Sequence, residues 1–256
     1  MENMKVVIFA GGLGTRMRDE ADLRPKPMLE IGGKPILWHL MKIYSSFGLR
    51  DFVILAGYKA GYIKDYFSRL DVNTRDFEIS TSTGELSFLS GNSEDWKVSV
   101  LDTGQDTLTG ERLLRAKNVL GDEPFFCTYG DGLAPVDIGA LLETHRSSRR
   151  VATMTVTRPE SGFGEVTFDD SGTVTDFQEK PLMANWVNMG FFAFNHEIFE
   201  FLEPNQSLEE GALARLAQSG KLGVFQYEGF WQPMDTYREF RILNKLWEEN
   251  QAPWAL

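Results

Sequence analysis

Apolar residues in the first half of the chain form short continuous runs that alternate with segments of helical periodicity. The runs at 5–10 and 51–56 each consist of one charged residue followed by five apolar ones, which is typical of strands buried on both faces. Residues 36–47 instead repeat apolar positions at intervals of three and four, which predicts a helix. Further elements are predicted as helices at 62–70, 112–120, 137–147, near 209–218 and at 236–250, and as strands at 124–128, 151–157 and 222–227. This succession predicts an α/β fold, in which helices cover both faces of a mainly parallel sheet.

The second half of the chain contains a region rich in short strands. Three of them are predicted, at 165–168, 174–177 and 187–194. The sequence Asp169-Asp170-Ser171-Gly172 between the first two is a hairpin turn signal. Since no long linker or internal repeat interrupts the chain, we predict a single domain over 1–256. It contains a small β-rich lobe around 160–200 and a helical C-terminal segment over 236–256.

Charge and composition exclude several classes of function. A formal net charge of −11 disfavours nucleic-acid binding and docking on an anionic membrane, because both need clustered cations. The single cysteine, Cys127, excludes an intrachain disulfide and a zinc site built on thiolates, and we expect it to be a buried strand residue. The first residues lack a secretory pattern and no apolar run reaches the length of a membrane span, so we expect a cytoplasmic protein.

A glycine-rich loop directly after the first strand is the strongest chemical signal in the sequence. Glycines allow the backbone of Ala10-Gly11-Gly12-Leu13-Gly14-Thr15-Arg16 to turn sharply and to bring its N–H groups against an anion. Thr15 adds a hydroxyl donor, and Arg16 adds a guanidinium suited to phosphate oxygens. Further along the chain, Lys26 stands between two prolines and supplies a second cation. We therefore predict a triphosphate site, the alternative being an ordinary glycine turn between strand and helix.

The spacing of this loop does not match two other common phosphate motifs. A dinucleotide fingerprint needs a third glycine where Met17 stands, and an acidic residue at the end of the second strand, where the chain has Leu55-Ala56-Gly57. A P-loop needs Gly-Lys followed by Ser or Thr, which the sequence lacks. The loop therefore disfavours a nicotinamide-dependent oxidoreductase.

The glycine loop, followed by Arg24-Pro25-Lys26-Pro27, resembles the signature of the sugar nucleotidylyltransferases, the nucleoside-diphosphate-sugar pyrophosphorylases. The resemblance covers nearly the whole chain and is strongest to the group of glucose-1-phosphate cytidylyltransferases. That closer likeness rests on Pro35-Ile36-Leu37-Trp38-His39, Asp102-Thr103-Gly104, Thr128-Tyr129-Gly130-Asp131-Gly132, Phe177-Gln178-Glu179-Lys180-Pro181 and Gly229-Phe230-Trp231-Gln232-Pro233-Met234-Asp235-Thr236. It implies a Rossmann-like, three-layer α/β/α sheet, the nucleotide-diphospho-sugar transferase fold. It also implies transfer of a cytidylyl group from CTP to a sugar 1-phosphate, with glucose 1-phosphate as the expected sugar.

The same resemblance implies the site residues and the cofactor. The expected metal is Mg²⁺, since Asp131 and Asp235 match the pair that binds it, and Arg16, Lys26 and Asp131 are the expected catalytic residues. The expected nucleotide contacts come from Ala10, Gly11, Gly12, Gly14, Thr15, Arg16, Lys26, Thr107, Arg112 and Gly130. The expected contacts to the sugar phosphate come from Gly164, Glu179, Lys180 and Asn188.

Apart from the resemblance, several of these residues have plainer interpretations. Asp131 follows a core strand between two glycines, where either a metal ligand or a turn aspartate is common. Asp235 is also a suitable N-cap for the last helix, and Thr109 for the helix at 112–120. Glu179-Lys180 has the composition of a surface ion pair.

Substrate identity is less closely defined than the chemistry. Donors at Thr107 and Arg112 suit the O2 and N3 acceptors of cytosine, although uracil and thymine also present carbonyls. Asn188-Met189-Gly190 replaces the usual Asn-Gly-Gly of the group and is expected to place a bulky side chain beside the sugar pocket. Leu208-Glu209-Glu210-Gly211-Ala212-Leu213 replaces Trp-Glu-Gln-Glu-Pro-Leu, also in the expected sugar-binding half. The sugar therefore stays open.

We expect an enzyme that takes two small-molecule substrates, a nucleoside triphosphate and a sugar 1-phosphate, and that forms a homo-oligomer. The alternatives are the same transfer with another sugar 1-phosphate, or with dTTP or UTP, and a non-catalytic regulatory protein that binds nucleotide sugars. A regulatory protein would be expected to lose a metal carboxylate or the loop arginine, and this chain retains them. The aromatic C-terminal residues Trp247 and Trp254 are compatible with either a subunit interface or intramolecular packing.

Overall fold

The computed structural model describes residues 4–14, 24–89 and 94–255, which form an α/β protein. Its strands are β1 (Lys5–Ala10), β2 (Glu30–Ile31), β3 (Lys34–Pro35), β4 (Asp51–Ala56), β5 (Phe77–Ile79), β6 (Leu86–Phe88), β7 (Lys97–Asp102), β8 (Phe125–Tyr129), β9 (Gly132–Leu133), β10 (Ala152–Thr157), β11 (Glu165–Phe168), β12 (Val174–Gln178), β13 (Val187–Phe194), β14 (Leu222–Gln226) and β15 (Gln232–Pro233). Its α-helices are α1 (Ile36–Ser46), α2 (Ala60–Ser68), α3 (Leu70–Thr74), α4 (Thr109–Arg115), α5 (Lys117–Leu120), α6 (Ile138–Ser148), α7 (Ala214–Gln218) and α8 (Tyr237–Glu248). Short 3₁₀ segments cover Lys26–Met28 and His196–Phe201, and a π-helical turn covers Leu208–Leu213.

A seven-stranded sheet with the order β14-β10-β13-β8-β1-β4-β7 forms the centre of the fold. Neighbouring strands are parallel except at β13, which is antiparallel to both β8 and β10. The prediction of a mainly parallel sheet is therefore confirmed. The carboxyl ends of β1, β4 and β8 reach the same edge of this sheet, where the glycine loop begins.

Each face of the sheet is buried in a core of its own. In β1, Val6 and Ile8 pack on the side of α1, whereas Val7 packs with Leu113 of α4 on the opposite side, and all of them are fully buried. A strand that is covered on both faces presents apolar side chains in both directions, which explains the uninterrupted apolar run after Lys5. The three-layer α/β/α arrangement follows.

The lobe expected around 160–200 is smaller than the sequence indicated. β11 and β12 form a two-stranded sheet of their own, joined by the predicted turn, in which the Asp169 carboxylate accepts from the N–H groups of Ser171 and Thr173. β13, predicted as the third strand of the lobe, belongs to the central sheet instead. The reason is its double burial, since Phe191 and Phe192 pack into the two different cores.

Two helices differ from their predicted bounds. The helix predicted at 112–120 begins at Thr109 and is divided into α4 and α5. The helix predicted near 209–218 opens with the π-helical turn and becomes α-helical at Ala214. Across the described residues, none of the helices combines the length and the apolar character that a bilayer span requires.

The C-terminal segment is helical through α8 and then folds back onto α1. α8 begins with a capping box, in which Thr236 and Glu239 bond reciprocally, and it ends at Glu248. Trp254 is 1% exposed, and its indole N–H donates to Nδ1 of His39 in α1 at 3.3 Å. Intramolecular packing is therefore the interpretation confirmed for this tryptophan.

Two buried histidines are neutral, with the proton on Nε2. The Nε2–H of His39 donates to the Ile31 carbonyl at 2.9 Å, so its Nδ1 is the acceptor for the tryptophan. The Nε2–H of His145 donates to Asn195 Oδ1 at 3.1 Å, and its Nδ1 accepts from the Thr153 hydroxyl at 2.9 Å. Burial lowers the pKa of both histidines below the ordinary value of 6.5.

We expect the free energy of unfolding to fall as the pH is lowered from 7.5 to 5.5. Each histidine takes up a proton near pH 6.5 in the unfolded chain but only at lower pH in the folded one, so the unfolded state binds more protons in between and is favoured. The expected loss is up to about 1.4 kcal/mol per pH unit for each histidine within that window. Urea unfolding at several pH values measures it. The double variant His39→Gln, His145→Gln is the control, and an equal fall in this variant would contradict the assignment.

Candidate active site

The glycine loop leaves β1 and lines a cavity of about 220 Å³ at the edge of the central sheet. The wall is formed by Phe9, Gly12, Gly14, Lys26, Pro27, Gly130, Asp131 and Asp235. Among the described residues, nothing lies within 4 Å of the point where a side chain of Gly12 would begin, so this glycine leaves space open in front of the loop. Gly14 has a φ of 62°, a conformation that favours glycine. Thr15 and Arg16, predicted as phosphate ligands, lie outside the described residues.

Three predicted residues from distant parts of the chain meet at this cavity. The Lys26 ammonium donates to Asp131 Oδ2 at 2.7 Å and to Asp235 Oδ1 at 2.6 Å. The lysine side chain is 11% exposed, whereas the two carboxylates are 35% and 42% exposed. The cation is therefore enclosed, and both carboxylates keep a surface open to the cavity.

A short antiparallel strand pair places the two aspartates together. β9 begins directly after Asp131, and β15 ends shortly before Asp235. In this pair Gly132 is opposite Pro233, and the Met234 N–H donates to the Asp131 carbonyl at 2.7 Å. Two segments that are far apart in sequence are thus fixed side by side by backbone hydrogen bonds.

Asp235 is not the N-cap of the last helix, as one interpretation of the sequence had it. The cap is Thr236, whose hydroxyl accepts from the Glu239 N–H. The Glu239 carboxylate accepts from the backbone N–H groups of both Asp235 and Thr236 at 2.7 Å. The cap therefore holds the backbone of Asp235 and leaves its carboxylate directed at Lys26.

Opposing effects act on the charge of Lys26. Burial favours the neutral amine and by itself lowers the pKa, but the attraction and hydrogen bonds of Asp131 and then Asp235 outweigh it, so the pKa is raised above 10.5. The side chain is therefore an ammonium ion at neutral pH. It offsets the mutual repulsion of the two carboxylates and holds them within reach of a common ligand.

The donor set at this cavity fits a divalent cation of the Mg²⁺ type. Mg²⁺ commonly takes one or two carboxylates from the protein and completes its coordination with substrate phosphates and water. Asp131 and Asp235 supply two such carboxylates, both open to the cavity. Within the part of the chain that the structure describes, no group of three or more His, Cys, Asp or Glu residues is arranged to hold a metal.

A second cavity of about 390 Å³ adjoins the first. The two share Phe9, Gly12, Gly130 and Asp131. The remaining wall of the second cavity is formed by Gly11, Thr107, Leu108, Thr109, Arg112, Tyr129, Ser207 and Glu209. The predicted nucleotide residues Thr107 and Arg112 thus lie on the far side of the shared wall from Lys26 and Asp235.

Arg112 supports this second cavity from behind and is 4% exposed. Its guanidinium donates to five acceptors, namely the carbonyls of Gly104 at 2.6 Å, Gly11 and Gln105 at 3.0 Å and Ala56 at 3.3 Å, and the hydroxyl of Thr103 at 2.7 Å. It lies so close beneath the loop that a Cβ at Gly11 would be 2.3 Å from its Cζ. Arg112 therefore fixes the glycine loop relative to the ends of β4 and β7, and its direct contact with a base stays a prediction.

Glu209 is a site residue that the sequence analysis did not assign. Its Oε2 accepts from the Thr109 hydroxyl at 2.8 Å, and its Oε1 accepts from the Tyr129 hydroxyl. The interpretation of Thr109 as a helix cap is wrong, because α4 begins at Thr109 itself. A signal was present, since Glu209 is one of two positions in 208–213 that keep the residue of the resembled group.

Tyr129 connects this carboxylate to a predicted sugar residue. Burial, and then the nearby Glu209 carboxylate, raise the pKa of Tyr129 well above its ordinary value, so the phenol stays protonated and donates. Asn188 donates from Nδ2 to the Tyr129 hydroxyl at 3.4 Å.

Cys127, on the same strand, is fully buried, and burial raises the pKa of its thiol. This confirms the expectation of a buried strand residue.

The other predicted sugar-phosphate residues lie at the hairpin β11–β12. Gly164 and Glu179 are neighbours at its open end, where a Cβ at Gly164 would be 3.1 Å from Glu179 Oε2, and Lys180 is exposed with a φ of 48°. Within the described residues, neither cavity is lined by these residues or by Asn188. The role of all of them stays a prediction.

One of the two departures from the resembled group lies elsewhere than expected. Met189 is not beside an open pocket but is 3% exposed, because strand alternation turns it into the core on the face opposite Asn188. The 208–213 segment borders the second cavity through Glu209, next to Thr107 and Arg112. Its place relative to the sugar stays a prediction.

Comparison with known proteins shows the family to which the chain is similar and relatives of similar sequence or fold. A family model described as nucleotidyl transferase matches residues 5–232. The chain is 44% identical over 254 residues to the glucose-1-phosphate cytidylyltransferases of Salmonella typhi and of Salmonella typhimurium strain LT2, and 98% of this chain and of each relative is covered. The crystal structure of HddC from Yersinia pseudotuberculosis has a similar fold, with a TM-score of 0.68 and 20% identity over 95% of this chain and 99% of that chain.

Proposed function

Because this chain belongs to the nucleotidyl transferase family, we propose that it transfers a cytidylyl group from CTP to α-D-glucose 1-phosphate and releases pyrophosphate. The observation that carries the proposal is the meeting of Asp131 and Asp235 with Lys26 at the cavity of the glycine loop. The choice of cytosine and glucose is supported by the names of the Salmonella relatives, which cover the chain almost completely.

In this reaction a phosphate oxygen of the sugar 1-phosphate attacks the α-phosphorus of CTP. The bond from the α-phosphorus to the oxygen that bridges it to the β-phosphate breaks, and its electron pair leaves with pyrophosphate. No side chain needs to form a covalent intermediate. Since both reactants are anions, the protein must align them and offset their repulsion.

The protein's own cations and carboxylates divide this task. We propose that Lys26 and Arg16 hold the triphosphate, with the open space at Gly12 receiving phosphate oxygens. Members of this family generally use a divalent metal ion, and we propose that it is Mg²⁺, held by Asp131 and Asp235. When bound, the ion supplies charge neutralisation and orientation to the phosphates.

The sugar phosphate is proposed to bind through Lys180, with Gly164, Glu179 and Asn188 contacting the sugar. Support comes from the exposure of Lys180 and the proximity of Gly164 to Glu179. A regulatory protein without catalysis is disfavoured, since Asp131, Asp235 and Lys26 are all present and converge.

We further propose that the protein acts in the cytoplasm as a homo-oligomer. The hairpin β11–β12 supports the second part, because it exposes the apolar side chains of Val166, Phe168, Val174 and Phe177. Exposed apolar patches of this kind commonly mark interfaces.

The experiment that tests the proposed function is a pyrophosphate-release assay on the purified protein with Mg²⁺. CTP, UTP and dTTP are each paired with glucose, galactose and mannose 1-phosphates. We expect kcat/KM for CTP with glucose 1-phosphate to exceed that of every other pair by at least about tenfold. A mismatched base or sugar leaves a polar group of the site without a hydrogen-bond partner, and this lowers kcat/KM by about that factor or more. Chelation by EDTA should abolish the signal. Binding of CTP without pyrophosphate release from any pair would indicate a regulatory protein and overturn the proposal.

A further inference from the structure

The second cavity contains a carboxylate that the proposed reaction does not use. Glu209 lines this cavity together with Thr107 and Arg112, and it is separate from the groups assigned above to metal, triphosphate and sugar. A carboxylate in the site of a polyanionic substrate is unfavourable unless it faces a hydrogen-bond donor of that substrate. Its presence therefore calls for a donor on the ligand.

The position of Glu209 directs it to the nucleoside. The first cavity holds Lys26 and the metal carboxylates, so the phosphates of CTP occupy it in the proposed function. Gly12 and Gly130 line both cavities, whereas Glu209 lines only the second. The ribose and base extend past the shared wall into the space that Glu209 borders.

Hydrogen bonds from the protein hold the Glu209 carboxylate in place without using all of its capacity. Thr109 donates to one oxygen at 2.8 Å and Tyr129 donates to the other. The Thr109 oxygen accepts in turn from the Leu208 N–H at 2.8 Å, which fixes the direction in which its hydroxyl donates. A carboxylate has about four lone-pair positions, so acceptor capacity remains for a ligand.

The nucleobases differ in what they offer to such an acceptor. Cytosine carries an amino donor at position 4, where uracil and thymine carry a carbonyl oxygen. A carboxylate accepts a hydrogen bond from the amino group but repels the carbonyl. The hydroxyl of Thr107, by contrast, suits acceptors that all three bases present.

We propose that Glu209 is a specificity-determining residue that accepts a hydrogen bond from the 4-amino group of cytosine and so selects CTP over UTP. This rests on the proposed function, because it takes the phosphates of the nucleotide to occupy the first cavity.

The test compares kcat/KM for CTP, UTP and 2′-deoxy-CTP with glucose 1-phosphate in the wild type and in Glu209→Gln. Glutamine keeps the shape of the side chain but loses the charge and adds an amide donor for the uracil carbonyl. We expect the CTP-to-UTP ratio to fall about tenfold or more, with an absolute rise for UTP, and the CTP-to-deoxy-CTP ratio to stay unchanged. The matched control is Glu210→Gln, the same change at the exposed neighbouring position, which should keep both wild-type ratios.

A second variant keeps the test valid if the glutamine variant does not fold. Glu209→Asp retains the charge and withdraws it from the base, so it should lower kcat/KM for CTP without raising that for UTP. Equal losses for CTP and UTP in Glu209→Gln would indicate a structural carboxylate and overturn the inference. A change in the deoxy-CTP ratio instead would assign Glu209 to the ribose and also overturn it. A wild type that releases pyrophosphate from CTP without preferring it to UTP overturns the inference and the expected base preference but not the nucleotidyl transfer, whereas a wild type inactive with every pair overturns the proposed function.

Discussion

Replacement of Asp131 by alanine is expected to abolish turnover while the fold stays intact. The change removes one of the two protein ligands proposed for the metal and one of the two acceptors of Lys26. The side chain is 35% exposed at a cavity, so its removal opens no void in the core. We expect kcat to fall at least about 1000-fold, since charge stabilisation of the transferred phosphate contributes several kcal/mol. Pyrophosphate release at saturating Mg²⁺ measures the loss, and circular dichroism monitors the fold.

Two further aspartates make this result specific. Asp235→Ala removes the other carboxylate and should reduce kcat to a similar degree. Asp137→Ala removes an exposed aspartate that caps α6, where its carboxylate accepts from the Ala140 N–H at 2.9 Å. Loss of that cap should cost about 1 kcal/mol of stability and leave kcat unchanged. Undiminished turnover in Asp131→Ala would reject the assignment of the site.

Arg112→Ala should be the most destabilising single change at the site, with the free energy of unfolding lowered by about 3 kcal/mol or more. The guanidinium satisfies five acceptors and is 4% exposed, so truncation leaves several buried oxygens without donors. Denaturant unfolding of the parent and the variant measures the difference.

Arg115 provides a matched comparison in the same helix. It also donates to a backbone carbonyl, that of Thr103, and it pairs with Glu111, but its side chain is 49% exposed. Solvent replaces most of what this side chain contributes, so Arg115→Ala should cost about 1 kcal/mol or less. If Arg112→Ala and Arg115→Ala lowered the free energy of unfolding equally, the five hydrogen bonds of Arg112 would contribute no more to stability than the contacts of the exposed Arg115.

The central sheet was predictable because burial on both faces leaves a clear pattern. Apolar runs marked β1 and β4 as internal strands, and each has a neighbouring strand on both sides in the sheet. β13 was assigned to the wrong unit, because its neighbours in sequence form the exposed hairpin β11–β12. The proximity of β13 to the hairpin in sequence indicated that it belongs to the lobe. The burial of Phe191 and Phe192 on opposite faces instead requires that β13 lie within the central sheet.

Three residues that meet at the first cavity could be named from the sequence, but the way in which the fold brings them together could not. Lys26 was indicated by its place between two prolines after the glycine loop, and Asp131 and Asp235 were indicated by resemblance. The strands β9 and β15 that join the aspartates have two residues each and leave no periodic signal. The contacts of Glu209 with Thr109 and Tyr129 are likewise tertiary, because each partner is distant in sequence. Chemistry can be inferred from residue types at motifs, whereas such pairings depend on the folded backbone.

The hydrogen bonds that Arg112 donates also determine which substitutions the surrounding loops tolerate. Four of the five acceptors of Arg112 are main-chain carbonyls, which every amino acid supplies. An exposed side chain such as that of Gln105 can therefore be exchanged without loss of these hydrogen bonds. What is restricted is the size of the residues at Gly11 and Gly57, since a Cβ at either position would come within 2.3 Å of the guanidinium. Substitutions in these loops can therefore change the chemical character of exposed side chains, whereas Gly11 and Gly57 cannot be replaced by larger residues without displacing Arg112.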